Sequence, residues 1–205
     1  MKILIKSTLL CALLLTSQLQ AKTPVVSKGV VEYYNILARD KVDFEPQGMV
    51  CERVAVREVE SIYPSANYDI INSIRYDDKK TTIGELDVVV IDKNTNQVEA
   101  VAEVKCWKSF SGALKKAKEQ RMRFLTYLNR SIIIEDKDGK RYSKDQFKHI
   151  QKFFTISQAG GLNQGFDFEL SLNFKELMEL RGRLLDCKAQ GRCLSLIHIS
   201  EPTRP

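Results

Sequence analysis

Two acidic residues and a lysine stand on neighbouring apolar segments of this chain. Asp87 belongs to residues 83–91 (IGELDVVVI), while Glu103 and Lys105 belong to residues 98–105 (VEAVAEVK). Runs this rich in valine and isoleucine are typical of buried strands, where an ionisable side chain is costly unless it is paired. The three charged groups therefore call for a chemical reason.

The spacing of these residues can bring all three together. Side chains alternate along a strand, so Glu103 and Lys105 project to one side while Val104 points to the other. The polar residues 92–96 (DKNTN) predict a hairpin, which can place Asp87 beside Glu103 on one face. Two carboxylates this close repel each other unless a cation lies between them, and open oxygen ligands suit Mg²⁺ or Mn²⁺. The pattern predicts a metal site.

Phosphodiester hydrolysis is the chemistry that fits such a site. A bound cation polarises a phosphoryl oxygen and lowers the pKa of its water, and a nearby lysine orients that water and offsets developing charge. Residues 84–87 (GELD) and 102–105 (AEVK) resemble the PD-(D/E)xK nuclease superfamily, of restriction-endonuclease-like fold, particularly its Holliday-junction-resolvase-like and RecB-like branches. The resemblance implies that Asp87 and Glu103 bind metal and that Lys105 is the catalytic lysine.

The resemblance also concerns residues outside the motif. Many members take a further acid from an upstream helix, and Glu52 is the candidate third metal ligand, with Glu58 and Glu60 as competitors. A solvated helix glutamate is the alternative for Glu52. Glu85 shares the strand parity of the proposed aspartate ligand and is a spare ligand candidate. Leu86 stands where the family has proline, a departure that the superfamily commonly shows.

A helix is predicted over residues 109–129, after the lysine strand. Its apolar side is marked by Leu114, Ala117, Leu125 and Leu128. A polar stripe follows i, i+4, i+7 and i+11 and consists of Lys116, Gln120, Arg123 and Tyr127. Related nucleases often place a glutamine on this helix near the site, which makes Gln120 a supporting residue. The stripe can hold a nucleic-acid backbone, or it can be a solvated helix face.

The charge of the chain is mildly basic and uneven. The formal net charge is +6, and residues 22–193 keep 29 basic and 25 acidic residues, a net of +4. This balance alone does not identify a nucleic-acid binder. Seven basic residues nevertheless crowd the segment beside the proposed site: Lys105, Lys108, Lys115, Lys116, Lys118, Arg121 and Arg123. A polyanionic partner would be attracted there. We expect a nucleic acid, DNA more than RNA, a preference that the charge does not determine.

The two ends of the chain differ from the rest. Lys2 and Lys6 precede an apolar run and a Leu-Gln-Ala ending at residues 19–21, which predicts a signal peptide over residues 1–21 and export to the periplasm or the medium. The run is too short to span a membrane, so no membrane association is expected after cleavage, an uncleaved anchor being the lesser alternative. Residues 194–205 (LSLIHISEPTRP) resemble a translated sequencing-library adapter and are excluded from fold reasoning.

Cysteine and histidine usage limits the chemistry further. After signal cleavage four cysteines remain in an oxidising compartment, which allows three pairings: these are Cys51, Cys106, Cys187 and Cys193. The short loop between Cys187 and Cys193 favours that pair. Cys51 would then pair with Cys106 and tie the upstream helix to the lysine strand. Because only His149 lies outside the tail, histidine-based catalysis and zinc chemistry have little to work with.

The element order predicts an α/β (α+β) fold with a mixed central sheet flanked by helices. Residues 22–47 form an N-terminal helical extension, and residues 48–193 form one nuclease-like domain. The core order is αβββαβ: helix 48–62, strands 68–76, 83–91 and 98–105, helix 109–129 and strand 131–135. A helix with a capping box follows from Ser143 and includes His149, then a strand at 166–172 and a helix from Asn173.

The sequence thus predicts an exported, Mg²⁺-dependent DNA nuclease. One rival is a nucleic-acid-binding or partner-binding domain that keeps the fold without hydrolysis. A second rival shares the chemistry and differs in destination: an exported effector or toxin nuclease. The charged hairpin could also be a structural ion pair.

Overall fold

A computed structural model describes residues 26–78 and 81–193. The predicted signal peptide and the 194–205 tail lie outside these residues. The helices are α1 (Lys28–Leu37), α2 (Met49–Ile62), α3 (Phe110–Leu128) and α4 (Phe174–Ala189). The strands are β1 (Tyr68–Asp77), β2 (Thr82–Asp92), β3 (Val98–Val104), β4 (Ile133–Glu135), β5 (Arg141–Tyr142), β6 (Lys152–Ser157) and β7 (Phe168–Glu169).

The strands form one mixed sheet in the order β5-β4-β1-β2-β3-β6-β7. Pairing from β5 to β3 is antiparallel, and β3, β6 and β7 run parallel. The turn at residues 92–96 closes the predicted β2–β3 hairpin, with Asp92 and Gln97 joined by a backbone hydrogen bond of 2.9 Å. The mixed α/β class with a central sheet between helices is confirmed.

Each face of the sheet has its own core. On one face α1, α2 and α4 pack over β2 and β3, with Val54 and Leu180 fully buried between them. Because α1 buries Val30 in this same core, the segment predicted as an N-terminal extension packs with the rest of the fold. On the other face α3 buries Phe124 against Val89 and neighbouring strand residues.

The helix predicted from Ser143 is wrong. The capping box of Ser143 and Gln146 exists, but it begins only a 3₁₀ turn at Lys144–Phe147. Strand β6 follows at Lys152–Ser157, and the exposed His149 lies between the two. Phe153 packs into the α3-side core and Phe154 into the opposite core. Neighbouring side chains point to opposite faces in a strand. Because both faces of this segment are buried, its apolar residues show a helix-like spacing in the sequence although the segment is a strand.

The strand that completes the predicted core is also a different one. Residues 131–135 contribute only the three-residue β4, which pairs antiparallel with β1 at the far side of the sheet. The parallel neighbour of β3 is β6. A parallel strand requires a crossover connection, and this one runs through α3 and the short β4–β5 pair before it returns. The strand predicted at 166–172 is reduced to the two residues of β7.

The boundaries of α3 agree with the prediction, but its buried face does not. Ser109 caps the helix by accepting a hydrogen bond from the Gly112 amide. The buried residues are Ala113, Ala117 and Phe124, whereas the predicted core residues Leu114, Leu125 and Leu128 are only half-buried. Among residues 26–78 and 81–193, no helix is both long and apolar enough to cross a bilayer.

Candidate active site

Asp87 lies where the pairing of β1 and β2 is interrupted. The register joins Asn72 to Val88 and Ile74 to Leu86, and it leaves Asp87 and Ser73 unpaired. Ser73 has a φ of 65°, a conformation that is uncommon for residues other than glycine. The Asn72 side-chain amide donates to the Asp87 carbonyl over 2.9 Å in place of a strand partner. The interruption frees Asp87 from the regular alternation.

The Asp87 carboxylate turns towards the end of β3. Its Oδ2 accepts hydrogen bonds from the Val104 amide and from Lys105 Nζ, each at 2.7 Å. Lys105 Nζ lies 3.7 Å from Glu103 Oε2 and also donates to the Val104 carbonyl over 3.0 Å. The Lys105 amide continues the β3–β6 pairing by donating to Ile156. One ammonium therefore contacts both predicted carboxylates.

Burial sets the charge state of these groups. Asp87 is 5% exposed and Glu103 is 0% exposed. Burial and, after it, the charge of Asp87 raise the pKa of Glu103 to about 9, against a partial opposing effect of Lys105. Burial alone would lower the pKa of Lys105, but the charge and hydrogen bond of Asp87 raise it above its usual value. Lys105 is therefore a firmly held ammonium.

Glu52 approaches the same place from the first turn of α2. A Cβ added at Gly48 would lie 3.2 Å from Glu52 Oε1, so the carboxylate lies over the helix N-terminus. Burial, together with the charges of Asp87 and Glu85, raises the pKa of Glu52 to about 7, and Lys105 opposes this shift. Glu52 is thus an electrostatic neighbour of the carboxylate pair and not a solvated helix glutamate.

Of the other acids considered from the sequence, Glu58 and Glu60 are engaged elsewhere, and Glu85 is near enough for its charge to act on Glu52. Glu58 accepts hydrogen bonds from Tyr33 and Ser171, and Glu60 pairs with Arg57. Glu85 is exposed on β2. In a regular strand Leu86 and Val88 would face the same side, but here they pack into opposite cores, so the strand twists between them. Alternation along β2 therefore does not place Glu85 on the same face as Asp87.

The polar stripe of α3 rests against the sheet. Lys116, Gln120, Arg123 and Tyr127 are all half-buried. Arg123 donates to the Ile83 carbonyl over 3.3 Å, and Tyr127 packs against the α3-side core. Gln120 Oε1 is buried and finds no hydrogen-bond partner among the described residues. These three side chains do not form a freely solvated face.

A cleft of about 520 Å³ opens at Glu52 and Lys105, while Asp87 and Glu103 lie behind its wall and do not line it. Glu52 and Lys105 line it together with residues that the sequence did not single out, which are Gln47, Gly48, Val104, Trp107 and Phe174. Sequence reasoning missed two polar residues that hold the site, the half-buried Asn72 and the buried Gln158. Trp107 lies two residues after Lys105 in the sequence. A single tryptophan forms no spacing pattern, so the sequence alone does not identify it as a site residue.

Two disulfides are present, Cys51–Cys106 and Cys187–Cys193. This is the pairing that the short Cys187 to Cys193 loop favours. Cys51 precedes Glu52 and Cys106 follows Lys105, so the first bridge joins the α2 acid to the lysine strand. It forms part of the cleft wall.

The donor set fits a hard divalent cation that keeps open positions. Both carboxylate oxygens of Glu103 are buried and lack a hydrogen-bond partner within the described chain, which is unfavourable unless something else binds them. Within residues 26–78 and 81–193, no group of three or more acidic, histidine or cysteine side chains is arranged to hold a metal. Mg²⁺ is commonly held by one or two carboxylates plus substrate phosphate and water. Asp87 and Glu103 would supply those two carboxylates.

Comparisons of the chain with models of protein families, with curated proteins and with solved structures found no match.

Proposed function

We propose that this protein is an exported, Mg²⁺-dependent nuclease that hydrolyses phosphodiester bonds of DNA. The observation that carries the proposal is the contact of Lys105 with both Asp87 and Glu103, at 2.7 and 3.7 Å, beside an open cleft. Glu52, which has a raised pKa, and Lys105 both line that cleft, and a titratable group of perturbed pKa beside a specific charge partner in a cleft is characteristic of reactive sites. The resemblance to PD-(D/E)xK nucleases assigns the same three residues.

Each residue has a defined part in the proposed reaction. Asp87 and Glu103 would hold the cation, which supplies Lewis-acid polarisation of the phosphate and a water of lowered pKa. Lys105 donates hydrogen bonds to the attacking water or to the phosphate oxygens and stabilises the charge that develops on them. The Val104 amide fixes Asp87, and Asp87 keeps Lys105 protonated. Attack at phosphorus leaves one sugar with a phosphate monoester and the other with a hydroxyl group.

A structural ion pair accounts less well for the same geometry. Such a pair needs its oxygens satisfied, because an unpartnered buried carboxyl reduces stability. Neither oxygen of Glu103 accepts a hydrogen bond from the described residues, and Lys105 Nζ stays 3.7 Å away. The two disulfides support export, since disulfides persist in oxidising compartments.

Cleavage of labelled linear and circular DNA by the purified protein tests the proposal. We expect cleavage with Mg²⁺ or Mn²⁺ and none with a chelator. Lys105→Ala should lower the rate by about 100-fold or more, because one preorganised donor to the transition state contributes that much. Lys137→Ala, which changes an exposed lysine in the turn after β4, should leave the rate unchanged.

Folding of the variants must be verified by circular dichroism. Full activity in a folded Lys105→Ala protein would overturn the mechanism. DNA binding without cleavage in any metal would support a binding domain instead.

A further inference from the structure

Trp107 is the one tryptophan of the sequence, and it stands at the rim of the site cleft. Its side chain is 44% exposed. Tryptophan is highly buried on average, so a ring this exposed beside a polar cleft calls for a partner. Lys105 and Lys108 line the same cleft.

The ring is exposed, but its position is fixed. The Trp107 carbonyl accepts a hydrogen bond of 2.8 Å from Nε2 of Gln158, which is itself 2% exposed. A Cβ added at Gly112 would lie 3.8 Å from the indole, so the ring packs against the first turn of α3. Cys106, the preceding residue, is held by its disulfide to Cys51. A rigid aromatic surface loses little conformational entropy when a flat ligand stacks on it.

We propose that Trp107 stacks on an unpaired base of single-stranded DNA and so sets the substrate preference of the site. The identity of the bond cleaved rests on the proposed function, whereas the stacking does not. A duplex hides its base faces, and an aromatic side chain reaches one only in a single strand or an extruded nucleotide. Lys105 and Lys108, two residues before and one after Trp107, place positive charge for the adjoining phosphates.

The depth of the carboxylates favours the same substrate. Asp87 and Glu103 are almost completely buried, and the cleft at Lys105 lies between α2, the end of β3 and the start of α4, where Phe174 lines it. A volume of about 520 Å³ lies within the range of pockets that hold small ligands. It suits a nucleotide unit of one flexible strand better than a rigid double helix.

Fluorescence of Trp107 provides a direct test, because no other tryptophan contributes. We expect a short single-stranded oligonucleotide, titrated into the protein with chelator present, to quench the emission in a saturable way. The same oligonucleotide annealed to its complement should bind at least ten-fold more weakly. Binding of labelled oligonucleotide, followed by anisotropy, should weaken about 10- to 100-fold in Trp107→Ala and much less in Trp107→Phe.

Phe168→Ala is the matched control. Phe168 is an aromatic residue of nearly equal exposure, 43%, and it lines a different cleft. Its substitution should leave oligonucleotide affinity unchanged. Absence of quenching by single strands, or equal affinity of Trp107→Ala and the unaltered protein, would overturn the inference even if DNA is cleaved. Quenching without metal-dependent cleavage would retain the inference and reject the proposed function.

Discussion

The buried carboxyl of Glu103 gives the folded protein a pH dependence that an exposed glutamate would not. Its pKa is raised from 4.5 to about 9 by burial and by Asp87, so the folded chain keeps a proton that the unfolded chain releases. The stabilising contribution is complete below about pH 4.5 and is lost as the pH rises towards about 9. We expect the free energy of unfolding to fall by up to about 1.4 kcal/mol per pH unit in this window.

Glu103→Gln isolates this effect, because glutamine keeps the shape and cannot ionise. Denaturant unfolding between about pH 5 and 9 should give a flatter profile for the variant than for the unaltered protein. The gap between the two profiles should widen towards alkaline pH. Parallel profiles would show that Glu103 ionises alike in the folded and unfolded chain.

Residue types and strand spacing predict much of the site, but not how Asp87 enters it. The alternation of β3 places Glu103 and Lys105, and the hairpin brings β2 alongside. Asp87 reaches Lys105 because the β1–β2 ladder is interrupted opposite Ser73, and nothing in the residues around Asp87 signals that interruption. Parity along β2 therefore misplaces Glu85. Side-chain anchors such as Asn72 and Gln158 depend on tertiary contacts and leave no local pattern.

At the scale of elements, the Cys51–Cys106 bridge joins α2 to the end of β3. It closes a loop across 55 residues of sequence separation, whereas Cys187–Cys193 closes one across 6. Loop-closure entropy predicts that the double substitution Cys51→Ser and Cys106→Ser lowers the free energy of unfolding by about 4 kcal/mol. The double substitution Cys187→Ser and Cys193→Ser should lower it by about 2 kcal/mol. Activity should fall only in the first double variant, because that bridge sets Glu52 beside Lys105.

Chemical denaturation and cleavage rates of the two double variants, measured side by side, check this. Equal losses of activity would show that the first bridge has no special relation to the site.

The elements themselves were predictable where one period dominates. The spacing along α2 and α3 and the apolar runs of β2 and β3 predicted boundaries close to those observed, and α4 begins next to Asn173 as predicted. The prediction of a helix over residues 143–154 was wrong because their aromatic residues divide between the two cores. The spacing of these residues in the sequence resembles that of one helix face. Which strand lies beside β3 depends on a crossover that local pattern does not encode.

For the whole molecule, a cation bound between β2 and β3 should act as a stabilising ligand. Mn²⁺ or Mg²⁺ that binds only the folded chain raises stability by about 2.7 kcal/mol at one hundred times its dissociation constant. Thermal unfolding with increasing Mn²⁺ should show a rising midpoint, and Asp87→Asn should abolish the rise. The effect should grow from about pH 7 to 9, because Glu103 must release its proton to bind metal. An equal rise in Asp87→Asn would place the cation elsewhere.

The parallel pairing of β3 with β6 determines when the site can exist. Glu103 adjoins Thr155 in the register, and the Lys105 amide donates to the Ile156 carbonyl, so the lysine strand gains its parallel neighbour only after α3, β4 and β5 have been made. Phe174, on the cleft wall, comes later still. Long-range pairings of this kind form slowly during folding. A nascent or partly folded chain therefore has the carboxylates and the lysine without their enclosed surroundings, and under the proposed function DNA cleavage would be a marker of completed folding.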